Sequence, residues 1–432
     1  MSITKTFLLF TAVVLLPALL MAQPLSPSEV QLVEYIDAHQ EEAIDFLKQV
    51  VNINSGTMNH EGVRQVGEVF RKELDALEFA SRWIPMDEVN RAGHLFAEVS
   101  GQRGRRLLLI GHLDTVFAVD SPFQRFERSG SQAKGPGVED MKGGNVVVLF
   151  ALKALHSVGA LEGASITVAF TGDEENSGDP QQISRRDLME AAKRSDIALG
   201  FEGGIGGIGT ATVARRSATD WALHVNGKRG HSSRIFNPEF GSGAIYEAAR
   251  ILTDFYNELG GEPYLSFSPG LILGGTTVDH EGIYSRGQAF GKDNVIPQTA
   301  VVTGDLRCIS EEQLGRAKNR MQEIVSRHLP ETSAEITFDD GYPAMSPTPE
   351  NYSLLAQLDQ VSRDLGFGAV EAIDPSKRGA ADISFAAPHV QASLDGLGVV
   401  GSGGHSEEET VDLDSLSIMT KRAAVLIYRL TR

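Results

Sequence analysis

Two histidines and five carboxylates in this chain stand in short glycine-marked blocks of the kind that do chemistry. His112 and Asp114 lie in Gly111-His112-Leu113-Asp114-Thr115, and Asp140 lies in Gly137-Val138-Glu139-Asp140-Met141-Lys142-Gly143. Glu174 and Glu175 follow Thr171-Gly172-Asp173, Glu202 precedes Gly203-Gly204, and His405 closes Gly401-Ser402-Gly403-Gly404. Each signal is weak by itself: His-x-Asp arises by chance, an acid pair is usually a solvated face, and an Asp before a helix is by default a cap. As a set they are a nitrogen and oxygen donor group without thiolate, which suits zinc, with cobalt or manganese as substitutes. Two histidines and three carboxylates can hold two ions roughly 3.5–4 Å apart with one carboxylate bridging. A remaining carboxylate can then serve as general base on a water whose pKa the ions bring toward about 7.

The elements that must position these groups are strand ends. Leu107–Ile110 is an apolar run that reads as a buried parallel strand delivering His112 and Asp114. Ile166–Phe170 leads to Glu174 and Glu175, Ile197–Phe201 to Glu202, and Leu397–Val400 to His405. In open α/β sheets ligands bind beyond the carboxyl ends of strands, so four such ends imply one shared site. Ser26-Pro27-Ser28-Glu29 starts a helix whose apolar spacing runs from Leu32 to Val51; a second carries Val63, Val66, Phe70 and Leu74. Trp83–Val89 and Leu95–Val99 read as strands, and Asp140 precedes a helix through Leu155. From Thr219 the pattern changes to strand (Trp221–Val225), turn (Asn226-Gly227), helix (Ser242–Leu259), strand (Leu271–Leu273), strand (Ala300–Leu306), helix (Glu311–Leu329) and strand (Ala334–Phe338). That β-α-β-β-α-β order is ferredoxin-like. It is inserted, because helix Leu354–Leu365, the Val399-Val400 strand and a last helix, Asp412–Tyr428, return to the first pattern. The fold class is therefore α/β, a mostly parallel-sheet catalytic domain with an inserted α+β domain.

With 432 residues, 41% of them hydrophobic, the chain can build two or three cores. A formal net charge of -18 excludes a phosphate-binding nucleic-acid surface. The single cysteine, Cys308, excludes an intrachain disulfide and a cysteine-rich zinc knuckle, and its place beside Arg307 in a strand-like run reads as a buried thiol. Lys5, the apolar run Phe7–Leu20 and Met21-Ala22-Gln23 read as a secretory leader cut after Ala22. The run is short for a spanning helix and contains Pro17, so no stable membrane anchor is expected. The protein is expected to be exported, periplasmic or secreted.

The blocks Gly111–Thr115, Gly137–Gly143, Thr171–Glu175 and Gly404-His405 resemble, in order and spacing, the signatures of the di-zinc metallopeptidase family that includes glutamate carboxypeptidase, aminoacylase and succinyl-diaminopimelate desuccinylase. The likeness runs from about Ser28 to the C-terminus. It implies His112 and Glu202 on one zinc, Glu175 and His405 on the other, and Asp140 bridging both. It makes Glu174 the general base and Asp114 the group that orients His112. The inserted domain resembles the family's lid or dimerisation domain. In it, Gly227-Lys228-Arg229-Gly230-His231-Ser232 matches the segment whose histidine polarises the scissile carbonyl, often from a neighbouring subunit. Asn294-Val295-Ile296-Pro297 and Asp305-Leu306-Arg307 match a substrate-binding pair, Arg307 gripping a carboxylate. Gly379-Ala380-Ala381-Asp382 matches a loop near the substrate. The implied layout is a leader (1–22), catalytic segments (23–217 and 341–432) and a lid (218–340). The implied enzyme holds two Zn2+ per subunit and acts as a homodimer through the lid. It releases a C-terminal amino acid from a small peptide or N-acyl amino acid. An aminoacylase or aminopeptidase on the same scaffold is the alternative, and a non-catalytic peptide-binding protein the more distant one.

Overall fold

The computed structural model describes residues 22–282 and 285–432; the leader, apart from Ala22, lies outside the described residues. Helix α1 (Pro27–Ala38) begins with a reciprocal cap, in which the Glu29 amide donates to Ser26 Oγ at 3.4 Å and the Ser26 amide to Glu29 Oε2 at 2.6 Å. The single long first helix expected from apolar spacing is in fact two. His39 ends α1 by turning Nδ1 to Tyr35 O at 2.7 Å and stacking on the Tyr35 ring, and α2 (Gln40–Val51) starts afresh. A side chain bonded to its own backbone competes with helix continuation. After α3 (His60–Ala76), β1 (Ala80–Met86) and β2 (Arg91–Val99) pair as an antiparallel hairpin. Val89, expected in a strand, lies in the 3₁₀ turn Asp87–Val89 that closes the hairpin. Next come β3 (Arg103–His112), α4 (Lys142–Ser157), β4 (Ala164–Thr171) and β5 (Ile197–Gly200).

The inserted unit follows as β6 (Thr219–Gly227), α5 (Gly243–Leu259), β7 (Ser266–Gly275), β8 (Thr299–Arg307), α6 (Glu311–Val325) and β9 (Thr332–Asp340). Its antiparallel sheet has the order β7-β8-β6-β9, and a short hairpin, Thr277–Glu281 with Arg286–Phe290, is added between β7 and β8. Asn226-Gly227, expected as a turn, continues β6, because Asn226 faces Thr299 and Ser333 on both sides. Trp221, Leu223 and Val225 alternate onto a core with Ile251, Phe255, Leu314, Met321 and Ile324. This is the period-two burial that a one-sided sheet requires.

The chain returns through α7 (Pro349–Asp364), β10 (Ala392–Leu394) and α8 (Leu413–Leu430). The main sheet then reads β1-β2-β4-β3-β5-β10, with parallel pairing from β4 to β10. Both faces are covered. Leu107 and Leu109 point to the core under α4 and α8, while Leu108 and Ile110 point to a second core with Leu188 and Ile383. Leu397–Val399 is buried and Val400 half-buried, but the run is no strand; the edge strand is Ala392–Leu394. Val399 fills the notch left by Gly143 of α4, where a Cβ would lie 2.5 Å from its methyl group, so burial without pairing explains the apolar run. His405 sits instead in a loop between Gly401–Ser402 and Thr410–Asp412 of a small separate sheet. Among the described residues no helix is long and apolar enough to cross a membrane.

Candidate metal centre

Strand β3 ends on buried His112, whose ring is held from both sides. Its Nδ1 lies 3.1 Å from Asp114 O and 3.3 Å from Asp114 Oδ1; its Nε2 lies 3.2 Å from Asp140 Oδ1 and 3.8 Å from Glu202 Oε1. Across the cleft, His405 Nε2 is 3.0 Å from both Asp140 Oδ2 and Glu175 Oε2. His112, Asp140 and Glu202 form one group able to hold a cation, and Asp140, Glu175 and His405 a second. Within each, the donor atoms lie within 4.8 Å of one another. Asp140 offers one oxygen to each group. Met141, not Asp140, caps α4, and it does so without a side-chain bond, which leaves the Asp140 carboxylate to the histidines. Gly111 lets α4 approach: a Cβ there would lie 2.0 Å from Asn145 Oδ1, and Asn145 Nδ2 donates to His112 O at 2.6 Å.

The remaining contacts fix these donors. The fully buried Asp114 accepts from Thr57 Oγ1 at 2.6 Å and from the amides of Glu174 and Glu175 at 3.1 Å each. One carboxylate thus holds both His112 and the segment carrying the two glutamates. Burial and the neighbouring Asp140 push Glu202 up to about 7, and burial raises Glu174 well above the usual carboxylate range and Glu175 less far. Asp140 is held low against burial by its bonds to His112 and His405, and bonds to Asp140 and Glu175 push His405 up to about 11. Burial and the charges of neighbouring carboxylates together oppose ionisation of Glu174, Glu175 and Glu202. Two divalent cations would relieve the same repulsion, and this donor set fits them.

Three contributors carry no mark in the sequence. Glu409, four residues past His405, accepts the amides of Gly137 (2.9 Å), Glu139 (2.8 Å) and Asp140 (3.0 Å), tying the His405 loop to the Asp140 loop. In the sequence nothing sets it apart from Glu407 and Glu408. Tyr342 lies where β9 crosses back from the lid: the Ala218 amide donates to Tyr342 O at 2.9 Å, and Tyr342 Oη donates to Glu174 O at 2.9 Å. Beneath it Arg185, fully buried, bonds Tyr342 Oη (2.9 Å), Asp173 (2.5 Å) and Asp382 (2.7 Å). Asp382, in the loop expected near substrate, bonds Arg185 and accepts from Thr171 Oγ1 at 2.5 Å, and its charge bears on Glu174.

The lid residues separate into two places. His231 and Asn294 are neighbours, since the Ser232 amide donates to Asn294 O at 2.9 Å and His231 pairs with Val295. Arg307 is at the other end of β8, a strand of 9 residues that spans roughly 26 Å. Arg307 and Asn294 therefore do not form a pair within one chain. Arg307 Nε contacts both carboxylate oxygens of Asp305, at 3.0 and 2.9 Å, in a cleft that also holds Asp220, Asp339 and Asp340.

A mixed-sheet domain with an inserted ferredoxin-like unit, and a paired His/carboxylate centre beside the ends of β3, β4 and β5, are the architecture of a metal-dependent hydrolase. Residues 108–429 match the model of peptidase family M20/M25/M40, and the chain belongs to that family. It is 28% identical over 398 residues, 90% of either chain, to carboxypeptidase G2 of Pseudomonas sp. (strain RS-16). It shares its fold with aminopeptidase PepT from Bacillus cereus ATCC 10987, at a TM-score of 0.69 and 15% identity, covering 91% of this chain and 99% of that one. It also shares it with a dinuclear metal binding M20 peptidase from Bacillus subtilis, at a TM-score of 0.63 and 15% identity over 91% and 99%.

Proposed function

We propose that this hydrolase is a zinc exopeptidase of glutamate carboxypeptidase type, which releases a C-terminal amino acid from peptides or N-acyl amino acids. The observation that carries the reading is the sharing of Asp140 between His112 and His405, with Glu174 beside them as a carboxylate without a ligand's position. His112 and Glu202 would hold one zinc, Glu175 and His405 the other, and Asp140 both. Zinc held there supplies Lewis acidity toward a scissile carbonyl and acidifies water. Glu174, as the carboxylate not assigned to a metal, would take a proton from the attacking water and return it to the leaving nitrogen. Asp114 keeps His112 oriented and the Glu174 amide fixed. His231 Nδ1 is engaged by the Ser233 hydroxyl at 2.8 Å and the Ser233 amide at 3.2 Å, so Nε2 is the ring nitrogen that would face a carbonyl oxygen gaining charge.

Because β8 keeps His231 and Asn294 far from Arg307, one substrate would meet both ends only if the lid tip came from a second subunit. A homodimer through the lid answers this. The free edge of β7 and the exposed Ile245, Tyr246 and Tyr256 of α5 support it. Export through the residue 1–22 leader belongs to the same reading.

Cleavage from the amino end is the second reading. The Asp305 contact and acidic surroundings of Arg307 favour it, since they compete with a substrate carboxylate. Chelation followed by zinc addition tests the metal requirement: hydrolysis should vanish and return. Activity that survives complete metal removal would refute the proposal.

A further inference from the structure

A cavity of about 410 Å3 opens beside the metal centre, with Glu175 in its wall. Its mouth is made by Met58, Val116 and Val119, which are 55%, 40% and 65% exposed, together with Ala118. Large apolar side chains left in water at one place mark a binding surface, and here they come from two separate loops, one after α2 and one after β3. The volume is that of a small-ligand pocket. Among the described residues Glu175 is the only charged group lining it.

We infer that this cavity receives the acyl side of the scissile bond and selects an uncharged, apolar group there. This rests on the proposed release of a C-terminal amino acid. The lining assigns the side: its one charged side chain, Glu175, is committed to the proposed zinc, and no cationic side chain lines the wall to take the carboxylate of the leaving amino acid, whereas the acyl half need carry no charge. The continuity of the wall with Glu175 places the occupant within one residue's reach of the centre. A straight or aromatic acyl chain, or the side chain of a Leu or Phe residue ahead of the bond, has the chemistry and size to fill it.

The test compares kcat/KM for N-acetyl-, N-butanoyl-, N-hexanoyl- and N-phenylacetyl-glutamate and for Ala-Glu, Leu-Glu and Phe-Glu, using the zinc-loaded full chain. Burial of apolar surface is worth up to roughly fourfold per methylene. The hexanoyl-to-acetyl ratio should therefore exceed ten, and Val119→Asp should reduce that ratio at least tenfold with metal content and melting unchanged. Met58→Glu gives the same readout should Val119→Asp not fold. A flat acyl series, or a steep series untouched by both substitutions, overturns the inference. Matching C-terminal amides are run beside each acid. If only the amides are cleaved, the carboxypeptidase reading fails, and the pocket is then judged on their acyl series by the same ratio.

Discussion

Tyr342 Oη donates to the carbonyl of Glu174 at 2.9 Å, so a residue just past β9, on the segment leading out of the lid, holds the backbone of the proposed base. Asp114 grips the amide of the same residue from the other side. Burial keeps the Tyr342 phenol well above its ordinary pKa, so it remains a donor. The structure thus links the crossing between domains directly to Glu174. Tyr342→Phe should lower kcat about tenfold, equivalent to roughly 1.4 kcal/mol, with metal content unchanged and KM within about threefold. Steady-state kinetics with metal analysis checks this, and a wild-type kcat would show that Asp114 alone suffices.

Glu409 makes a different kind of prediction. Its carboxylate belongs to neither ligand group, yet it closes three amides of the Asp140 loop, that of Asp140 included. Glu409→Gln loses charge and one acceptor, and should weaken metal affinity by roughly 10–100-fold, as outer-shell changes do. Competition against a chelator of known affinity measures it. Unchanged affinity would make Glu409 a loop brace without influence on the donors.

Acid should act through Arg429, which joins the two ends of the chain. It bonds Glu29 at 2.7 Å and Asp364 at 2.8 Å. Burial opposes ionisation of both acids, but the Arg429 and Ser26 bonds hold Glu29 below its ordinary value, and the Gln23 amide and Arg429 do the same for Asp364. Carboxylates with lowered folded-state pKa stabilise the fold fully above their unfolded values and lose that contribution as pH falls through the folded ones. Arg429→Met should therefore cost about 1–2 kcal/mol at pH 7 and much less below about pH 4. Melting curves of both proteins across that range should converge toward acid. A gap independent of pH would assign the loss to packing.

The members of the two His/carboxylate groups stood out in the sequence because their types are ones burial otherwise forbids: His112, Glu175 and Glu202 follow apolar runs, and Asp140 precedes an apolar helix. The ferredoxin-like insertion was legible from its alternation of periods. Leu397–Val400 misled because an apolar run reports burial and not pairing, and here burial is against Gly143. The break at His39 turns on one ring bonding its own helix, which no spacing reveals. Glu409, Tyr342 and Arg185 act through long-range contacts to backbone and leave no local mark. The separation of Asn294 from Arg307 was readable from strand length, since an extended strand keeps its ends apart whatever family pattern joins them.

Assembly can be tested through His231. If its ring serves a neighbour's centre, His231→Ala and Glu174→Ala chains should each be inactive alone. Mixing them under conditions that exchange subunits should then restore roughly a quarter of the native rate, as one in four centres pairs an intact lid histidine with an intact base in a random mixture. Turnover assays with light scattering decide this; a fully active monomer would contradict it.

The most direct test of the central claim is a mass-spectrometric cleavage screen of the zinc-loaded mature protein against dipeptides and N-acyl amino acids, each paired with its C-terminal amide and with a free-amine control. The account predicts that the carboxylate-ended compounds are cleaved, that amidation abolishes cleavage, and that a chelator removes it. Cleavage that ignores amidation but requires a free amine would contradict the account and make the enzyme an aminopeptidase.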